Sequence, residues 1–372
     1  MKIPFYVLVV VIVLLLNACK PLYNQEYSKP ILVDTKSKRT VKKLHRKLYY
    51  VARTGFGVGH QDDMAYGVGW KHDQTTDAYQ SDVQMVTGKL PGVFGFDIAG
   101  IENEDSLNID GVPFTLMREL MIKAHQSGGA VTISWHANNP VTDGDSWDLT
   151  PAVADILTDS ATSARFDLWM ERVAGFLSSL KYKGKKVPVI FRPWHEMNGG
   201  WFWWGAKSCT PDEYKALWRR TVQTLRDQHG LHNLLYVYSP NKIESDTEYL
   251  DFYAGDEFVD ILGIDIYDYK EEVNYLRDVK NDLDSLRKHA TEKQKLFAFT
   301  ETGLETIMKS GWFSQSLYPI LEDSGISWVL FWRNANTKHH YAPYPGHGAA
   351  EDFKKFEQLP KSLFLNEISE IE

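Results

Sequence analysis

The sequence is poor in three features, and each absence removes a class of protein from consideration. It contains only two cysteines, Cys19 and Cys209, among 372 residues. No base lies near Cys209 in the sequence, so we predict a packed, inert thiol there and not a nucleophile. Positive charge is not in excess, because the formal net charge is −8, which argues against nucleic acid or an anionic membrane surface as a partner. No apolar run reaches the roughly 20 residues that a transmembrane helix needs.

Two motifs that mark other kinds of active site are also absent. The run Gly-Phe-Gly-Val-Gly at 55–59 is not followed by an apolar helix pattern, so it does not indicate a phosphate-binding turn. His60, Asp62 and Asp63 look like the start of a metal site, but the His-x-His pair of barrel metallohydrolases is missing. We therefore expect no cofactor and no metal.

The longest apolar run lies at the N-terminus, where it predicts a secretory signal. Residues 5–16 are unbroken apolar, and a Leu-Asn-Ala-Cys sequence ends the segment at Cys19. This ending resembles the lipobox of bacterial lipoproteins. By that resemblance residues 1–18 are the signal peptide, and Cys19 is lipidated and becomes the mature N-terminus. A plain cleaved signal with an incidental cysteine is the alternative. With Cys19 lipidated, no intrachain disulfide is possible.

The segment after the signal predicts a tether. Residues 20–46 are polar, carry six lysines and two arginines, and show no clear period, so we interpret 19–46 as a lipid-anchored linker and 47–372 as the catalytic domain. Residues 20–22, Lys-Pro-Leu, lack the acidic cluster that accompanies surface export of lipoproteins, which favours a cell-envelope location facing the periplasm. We expect a monomer that contacts the membrane through its lipid alone.

From residue 48 onward, short apolar runs alternate with helical patterns. Strands are predicted near 48–58, 93–98, 130–136, 187–194, 233–239, 259–266, 296–300 and 326–333. Between them, Thr210 to Glu213 form a capping box and Gly230 ends the helix that it starts. Eight such repeats predict an α/β fold with a single (β/α)8 TIM barrel. A doubly wound open sheet of two domains is the alternative.

One stretch at the end of the predicted fourth strand is chemically unusual. Glu196 follows an apolar run, and four tryptophans fall within eleven residues around it, at 194, 201, 203 and 204. A glutamate among indoles lies in a low dielectric, which raises its pKa and suits it to hold a proton near neutrality. Indole faces also stack on sugar rings. The pattern therefore indicates an acid that cleaves carbohydrate.

A second carboxylate follows on the predicted seventh strand. Glu301 ends the apolar run 296–300, 105 residues after Glu196, which places the two glutamates on strands 4 and 7 across the barrel mouth. Two carboxylates in unequal surroundings are what glycoside hydrolysis requires, and a separation of about 5–5.5 Å predicts retention of configuration.

The strand ends together resemble glycoside hydrolase family 26, whose members are mostly β-mannanases, within the clan of retaining barrel glycosidases. The resemblance covers the whole domain. Its most specific part is the segment Arg192 to Asn198 with Trp201, in which His195 stands where most of the clan has an asparagine. The other matching segments are Gly59 to Asp63, Gly95 to Asp97, Ser134 to His136, Gly263 to Tyr267, Thr300-Glu301 and Phe331 to Arg333.

The resemblance implies a role for each residue. Glu196 is expected to be the acid/base and Glu301 the nucleophile, with Tyr267 hydrogen-bonded to the nucleophile. His195 is expected to reach the sugar near its 2-hydroxyl. The remaining substrate-binding residues are expected to be His136, Asp265 and Arg333, which line the sugar, and Trp201 and Trp332, which stack on it.

Several structural interpretations remain open beside these roles. Asp265 could brace Arg192 or Arg333 in place of touching sugar. Trp194 is expected beneath the site, and Trp203 and Trp204 are expected to pack in the loop. The long segments 137–160 and 334–350 are expected on the catalytic face.

Taken together, the residues predict a retaining hydrolase of β-1,4-mannosidic bonds in mannan, galactomannan, glucomannan or manno-oligosaccharides. Endo action and release of mannobiose from a chain end both stay open. One alternative is another β-1,4-glycanase of the clan, acting on glucan or xylan. A second is a non-catalytic glycan-binding lipoprotein, which would have no reason to keep both glutamates.

Overall fold

A computed structural model of the protein describes residues 30–72 and 79–371. The predicted signal peptide, 1–18, and the predicted lipidation site, Cys19, lie outside the described residues. Within them, no helix is both long and apolar enough to cross a membrane.

Eight parallel strands form a closed barrel. Their order follows the chain, and pairing of the last strand with the first closes the ring. The strands are β1 Phe56–Gln61, β2 Val93–Asp97, β3 Ala130–Trp135, β4 Val189–Pro193, β5 Leu234–Tyr238, β6 Ile261–Asp268, β7 Leu296–Leu304 and β8 Trp328–Phe331. The predicted (β/α)8 barrel is confirmed, and the open doubly wound sheet is wrong.

Helices surround this barrel and cover one of its ends. They are α1 Arg39–Thr54, α2 Asp82–Thr87, α3 Phe114–Gln126, α4 Val153–Thr158, α5 Ser160–Ser179, α6 Pro211–Gln223, α7 Glu272–Lys293, α8 Tyr318–Leu321, α9 Ala350–Gln358 and α10 Leu365–Glu370. Single turns of 3-10 or π helix, short hairpins at 66–71 and 181–186, and a two-residue strand at 362–363 complete the described elements.

The local signals explain the outer helices. The side chain of Thr210 accepts a hydrogen bond from the Glu213 amide, and the Glu213 carboxylate accepts one from the Thr210 amide, so the predicted capping box starts α6. Trp169 on α5 and Trp218 on α6 are almost fully buried, each within a face of apolar residues at helical spacing. Both indoles therefore belong to the packing between helices and barrel.

The start of the barrel corrects two predictions. The segment 48–58 was predicted as a strand, but α1 continues to Thr54 and β1 begins only at Phe56. The segment 19–46 was predicted as a linker, yet its described part from Ile31 onward belongs to the same compact unit as the barrel. The compact unit that contains the barrel therefore begins at Ile31 and not at residue 47.

The physical reason is an apolar face on α1. Val41, Leu44, Leu48 and Val51 recur at helical spacing and are buried. The first three pack with Leu32 in a cluster of residues at or near the strand starts, namely Val93, Ala130, Ile190, Leu235, Val237, Ile261, Leu296, Ala298, Trp328 and Leu330. Helix α1 thus closes the N-terminal end of the barrel, and the predicted catalytic side chains lie at the opposite end.

Candidate active site

The tip of β4 has an unusual backbone. Trp194 and Glu196 have φ angles of 53° and 54°, in the left-handed region that residues with a side chain rarely occupy. Such outliers persist only where neighbouring groups hold them, and they concentrate at functional sites. The chain therefore turns sharply at the point where it presents Glu196.

Three groups hold this turn in place. The Trp204 indole N–H donates to the carbonyl oxygen of His195 at 2.8 Å, and the Tyr214 hydroxyl donates to that of Trp194 at 2.8 Å. The Glu196 amide donates to the carbonyl oxygen of Ser239 on the neighbouring strand segment, also at 2.8 Å. These bonds satisfy backbone groups that the turn removes from the sheet.

The tryptophans divide as predicted. Trp194, Trp203 and Trp204 are fully buried, whereas Trp201 is 38% exposed. Trp194 lies beneath the tip, and its indole packs on those of Trp203 and Trp204 at 5.3 and 5.5 Å between ring centroids. Only Trp201 of the four therefore has a face available to a ligand.

A β-bulge presents the second glutamate. The pairing of β6 with β7 runs from Ile264–Phe299 to Asp265–Glu301, so Thr300 is an extra residue. Its hydroxyl donates to an Asp265 carboxylate oxygen at 2.6 Å. A Cβ at position 263 would lie 2.7 Å from the Thr300 side chain, so glycine is required there. Bulges beside active sites re-aim the side chains that follow them.

The carboxylates of Glu196 and Glu301 meet at the centre of the barrel mouth. Single oxygens of Glu196, Glu301 and Asp265 all lie within 4.8 Å of one another. This spacing lies near the roughly 5–5.5 Å of retaining glycosidases and below the roughly 6.5–9.5 Å that leaves room for the water of an inverting one. The two predicted catalytic residues are therefore close enough for one to attack a sugar while the other protonates the leaving group.

Arg192 supplies the positive charge beneath this cluster. The guanidinium is 1% exposed and pairs with Asp265 at 2.8 Å and with Glu301. Although burial acts to lower it, the charges of Asp265 and Glu301 raise the pKa of Arg192 above its ordinary value. The Tyr267 hydroxyl donates to the other Glu301 oxygen at 2.8 Å, as predicted. Both partners hold the Glu301 carboxylate in place, one at each of its oxygens.

Asp265 corrects a prediction. It was expected to line the sugar, but it is fully buried and both of its oxygens are occupied. One accepts from Arg192 and Ser239, and the other accepts from Thr300. Both oxygens are thus bonded by neighbouring side chains, so Asp265 braces Arg192, the alternative that its sequence position left open.

Glu196 lies in the surroundings of an acid. Burial and the nearby charge of Glu301 raise its pKa from 4.5 to about 7, and hydrogen bonds from Trp201 and Asn241 together with the charge of Arg192 only partly oppose this rise. The Trp201 indole donates to one carboxylate oxygen at 2.7 Å and the Asn241 amide to the other at 3.3 Å. At neutral pH a large fraction of Glu196 therefore holds its proton.

Replacing Trp201 with phenylalanine is expected to move the alkaline limb of the pH profile upward. The indole N–H stabilises the ionised form of Glu196, so its loss raises the pKa of Glu196, by about one pH unit for a hydrogen bond to a charged group. The measurement is kcat/KM for a manno-oligosaccharide as a function of pH. Trp203→Phe is the matched control, because the Trp203 indole donates instead to the carbonyl oxygen of Ala137. An unchanged limb in the Trp201 variant would contradict this account.

Replacing Glu196 with glutamine is expected to stabilise the protein above neutral pH. The folded-state pKa of about 7 lies above the unfolded value of 4.5, so between these values the unfolded chain loses a proton that the folded chain retains. The free energy of unfolding of the native protein therefore falls as pH rises through this window, by about 3 kcal/mol in total. The Glu196→Gln variant does not undergo this loss of stability.

Urea unfolding at pH 4, 6 and 8, below, within and above this window, tests the expectation. The stability difference between Glu196→Gln and the native protein should grow steadily from pH 4 to pH 8. Glu171→Gln, at an exposed position on α5, is the control and should show no such trend. A constant difference for the Glu196 variant would show that this carboxyl has no raised pKa.

His136 and His195 form one buried unit behind the carboxylates. The His136 Nδ1 lies 2.7 Å from Asp97, and its Nε2 lies 3.2 Å from the Nε2 of His195. Burial acts to lower the pKa of His136, but Asp97 outweighs burial and raises it, while burial and the neighbouring His136 hold the pKa of His195 well below its ordinary value. His136 therefore donates and neutral His195 accepts. The His195 Nδ1 is a buried atom without a partner within the described residues, so the expected contact of His195 with the sugar stays a prediction.

The last two predicted residues lie at the tip of β8. Trp332 and Arg333 are partly exposed, and the Trp332 ring stands edge-on to His136 at 6.1 Å. Arg333 forms an ion pair with buried Asp110 at 3.0 Å. The structure thus brings Trp332 to His136, whereas Arg333 has a carboxylate partner that sequence reasoning did not identify.

Three residues near the site were missed. Asn241, which bonds Glu196, follows a strand without any motif of its own. Trp147 was noted only as part of a long loop, yet it is 48% exposed and stacks on His136 at 5.5 Å with an interplanar angle of 21°. Tyr269 is 80% exposed and lies 6.5 Å from Tyr267 between ring centroids. The only sequence signal for Tyr269 was its position two residues after Tyr267, which continues the alternation of the strand beyond its predicted end.

Cys209 behaves as predicted. Its thiol lies 3.2 Å from the carbonyl oxygen of Trp204, and burial raises its pKa to about 12. A thiol with this pKa is not a nucleophile at neutral pH.

Comparison with known proteins agrees with this geometry. The family model for Glycosyl hydrolase family 26 matches residues 33–303. A mannan endo-1,4-beta-mannosidase of Bifidobacterium adolescentis is 31% identical over 332 residues, which cover 82% of this chain and 33% of that protein. A mannan endo-1,4-beta-mannosidase of Bacillus subtilis is 33% identical over 266 residues, 68% of each chain. The chain thus spans only about a third of the first relative.

Solved structures match over most of the barrel. The structure of a GH26 beta-mannanase from Bacteroides ovatus has a TM-score of 0.86 and 42% sequence identity, and the match covers 90% of this chain and 98% of that one. The catalytic domain of a Bacillus GH26 endo-beta-1,4-mannanase has a TM-score of 0.86 at 31% identity, with 94% and 97% covered.

Proposed function

Because the chain belongs to glycosyl hydrolase family 26, we propose that it hydrolyses β-1,4-mannosidic bonds with retention of configuration. The observation that carries the mechanism is the approach of Glu196 and Glu301 to within 4.8 Å. Their surroundings separate the two roles. Glu301 is held by Arg192 and Tyr267 in the position of a nucleophile, and Glu196 has the raised pKa of an acid.

In the first step the Glu301 carboxylate attacks the anomeric carbon. The bond from that carbon to the leaving-group oxygen breaks, and Glu196 transfers its proton to the departing oxygen. This step yields a covalent glycosyl ester on Glu301 through a transition state with oxocarbenium character. Arg192 and Tyr267 balance the charge on Glu301 before the attack. That charge is lost as the ester forms.

In the second step Glu196 acts as a base. It is ionised after donating its proton, so it accepts a proton from a water molecule that attacks the same anomeric carbon. The ester bond breaks, Glu301 regains its charge, and two inversions give net retention. The charge of ionised Glu301 is neutralised in the intermediate, which lowers the pKa of Glu196 at the moment when it must serve as a base.

The exposed aromatic side chains favour an endo-acting enzyme. Trp147 lies against His136 on the β3 side of the carboxylates, and Tyr269 lies beside Tyr267 on the β6 side. Trp201 lies between them and donates a hydrogen bond to Glu196. Aromatic faces on both sides of the cleavage point suit a chain that extends in both directions.

The loops on this face are built to hold the cleft walls. Asn139 donates to the carbonyl oxygens of Asp148 and Thr150, which shapes the segment that carries Trp147. In the segment 334–350, the Asn334 side chain donates to Asp82 and accepts from the amides of Tyr341 and Ala342. We assign both loops to the walls of the substrate cleft.

The N-terminal sequence supports a lipid-anchored protein in the cell envelope. The apolar run 5–16 and the lipobox-like ending at Cys19 are the basis for this proposal, with the periplasmic side favoured. Radiolabelled palmitate incorporation in a bacterial host tests it. Label in the native chain and none in Cys19→Ser is expected, and label in both would exclude this anchor.

The substrate is tested with a panel of polysaccharides. We expect reducing-sugar release from mannan and glucomannan, with xylan and mixed-linkage glucan at least about 100-fold slower, the order of discrimination that hydrogen bonds to substrate hydroxyls support. The time course from mannohexaose then separates endo from exo action, since a ladder of products indicates endo action and a single disaccharide from the start indicates exo action. No release from mannan would refute the proposal, and faster xylan cleavage would favour another glycanase of the clan.

A further inference from the structure

A groove of about 780 Å³ lies at the end of the barrel opposite the carboxylates. It is bordered by the start of α1, by the 181–186 hairpin, which leads to β4, and by the residues just before β5. The Lys38 amide donates to the carbonyl oxygen of His232 at 3.1 Å and so joins two of these walls. All of these segments enter their strands at the N-terminal face, which carries none of the predicted active-site residues.

The groove is lined by positive charge. Five of its lining side chains are cations, namely Lys38, Arg39, Lys43, Lys185 and Lys186, and no carboxylate lines it among the described residues. Within the part of the chain that the structure describes, none of these five cations forms an ion pair. His232, also in the lining, is bonded to buried Asp34 at 2.8 Å. We call this feature the basic groove.

The surrounding sequence extends the same charge. From residue 35 to residue 54 there is no aspartate or glutamate, and the solvent face of α1 adds exposed Lys42 to the groove residues. The hairpin 181–186 reads Lys-Tyr-Lys-Gly-Lys-Lys, with Lys181, Lys183 and Lys185 exposed. Like charges crowd here, since burial and the neighbouring Lys181 and Lys38 lower the pKa of Lys186. Unpaired cations in one groove raise the energy of the free protein, and an anionic partner removes that cost.

This concentration of positive charge contrasts with the charge of the rest of the molecule. The whole chain carries a formal charge of −8, which argued in the sequence against any anionic surface as partner. The net charge does not show that the charge is unevenly distributed, with one positive end on an otherwise acidic protein. A flat anionic surface attracts the positive end and repels the others, so it orients the molecule.

We propose that the basic groove docks the N-terminal face of the barrel on the phosphate headgroups of an anionic phospholipid membrane. The compact unit begins at Ile31, twelve residues after Cys19, a length of chain that reaches at most about 40 Å when fully extended. An acyl chain and a basic patch are the two signals that together give stable membrane attachment. In this orientation the carboxylate cleft faces away from the lipid, towards the polysaccharide.

The proposal goes beyond the proposed catalysis and rests on the proposed lipid anchor only for its biological setting. It is tested without the anchor, on residues 30–372. This fragment contains the whole compact unit from Ile31 to Glu372, and the Bacteroides ovatus protein, almost entirely covered by the corresponding part of this chain, is itself a folded protein of that extent. Any membrane binding of the fragment is then independent of lipidation.

The measurement is co-sedimentation with phosphatidylcholine vesicles with and without about 30 mol% phosphatidylglycerol, at low salt and at about 0.15 M salt. We expect binding only to the anionic vesicles, weakened by salt. The variant Lys38→Glu/Arg39→Glu/Lys43→Glu is expected to bind about 100-fold more weakly. Lys280→Glu/Lys288→Glu/Lys355→Glu has the same net charge with its changes at exposed positions outside the groove, and it is expected to bind far better than the groove variant.

Both triple variants are expected to hydrolyse mannan as the unchanged fragment does, which shows that they are folded and separates this proposal from the catalytic one. Three results of the vesicle experiments would overturn it. They are equal weakening by the two triple variants, no binding of the unchanged fragment to anionic vesicles, and release from vesicles by inorganic phosphate at constant ionic strength, which would make the groove a small-anion site. Equally tight binding to a short DNA duplex would show an unspecific polyanion site and would also refute docking on lipid.

Discussion

Replacing Glu301 with alanine is expected to reduce kcat for mannan hydrolysis by about three to six orders of magnitude, which corresponds to about 4–8 kcal/mol of transition-state stabilisation. The carboxylate that forms the covalent intermediate is then absent, and no described group can take its place, because Asp265 is fully buried with both oxygens bonded. The measurement is initial rate on a manno-oligosaccharide.

Exogenous azide distinguishes a lost nucleophile from lost folding. The side chain removed from position 301 leaves space beside Arg192, where a small anion can attack the anomeric carbon in place of the carboxylate. With an aryl glycoside substrate we expect azide to restore turnover and to give a glycosyl azide of inverted configuration. Unchanged hydrolysis by Glu301→Ala, or rescue without inversion, would contradict the assignment of Glu301 as nucleophile.

Replacing Arg192 with methionine is expected to lower the free energy of unfolding by about 3–5 kcal/mol. Arg192 is buried between Asp265 and Glu301, and its removal leaves two carboxylates in a low dielectric without their counter-charge. Methionine fills most of the volume, so the cost arises mainly from electrostatics and not from a cavity. Urea unfolding at pH 8 measures the loss.

The same variant has a pH signature. Protonation of the carboxylates removes their unpaired charge, so the stability deficit of Arg192→Met should shrink as the pH falls towards 5. Arg277→Met is the control, because the exposed Arg277 pairs only with Asp278, at 2.9 Å, and exposed ion pairs contribute about 0–1 kcal/mol. A deficit for Arg192→Met that is equally small, or that does not depend on pH, would contradict the charge-balancing role.

The sequence predicted the barrel well because each of its signals is local. Apolar runs of strand length, the Thr210 capping box and the helical spacing of Trp169 and Trp218 depend on neighbours in the chain. In a (β/α)8 barrel the C-terminal ends of the strands meet at one active site. The positions of Glu196 and Glu301 at two strand ends therefore predicted that they lie together, without any measured distance. Their separation, and with it the support for retention, required the three-dimensional structure.

Helix α1 was missed because two patterns overlap in it. Its apolar residues, Val41, Leu44, Leu48 and Val51, have helical spacing, but lysines and arginines fill the positions between them. The high local charge suggested a tether. Such charge is equally compatible with a helix at the end of a barrel, which presents a charged face to solvent and an apolar face to the core.

The roles of Asp265 and Arg333 depended on contacts between distant segments. Whether a buried carboxylate faces the cleft or an arginine is decided by side chains more than 30 residues away, here Arg192 and Thr300 for Asp265. For Arg333 the partner is Asp110, in a loop that has no motif. Sequence position places such residues at the barrel mouth but does not choose among their neighbours.

The central claim is that Glu196 and Glu301 cleave a β-1,4-mannosidic bond by double displacement. The most direct test is proton NMR of mannohexaose hydrolysis, followed from the first seconds before the new reducing ends equilibrate. Our account predicts that the newly formed reducing ends are initially β, with the α anomer appearing only through mutarotation. Initial formation of the α anomer, or the absence of any cleavage, would contradict it.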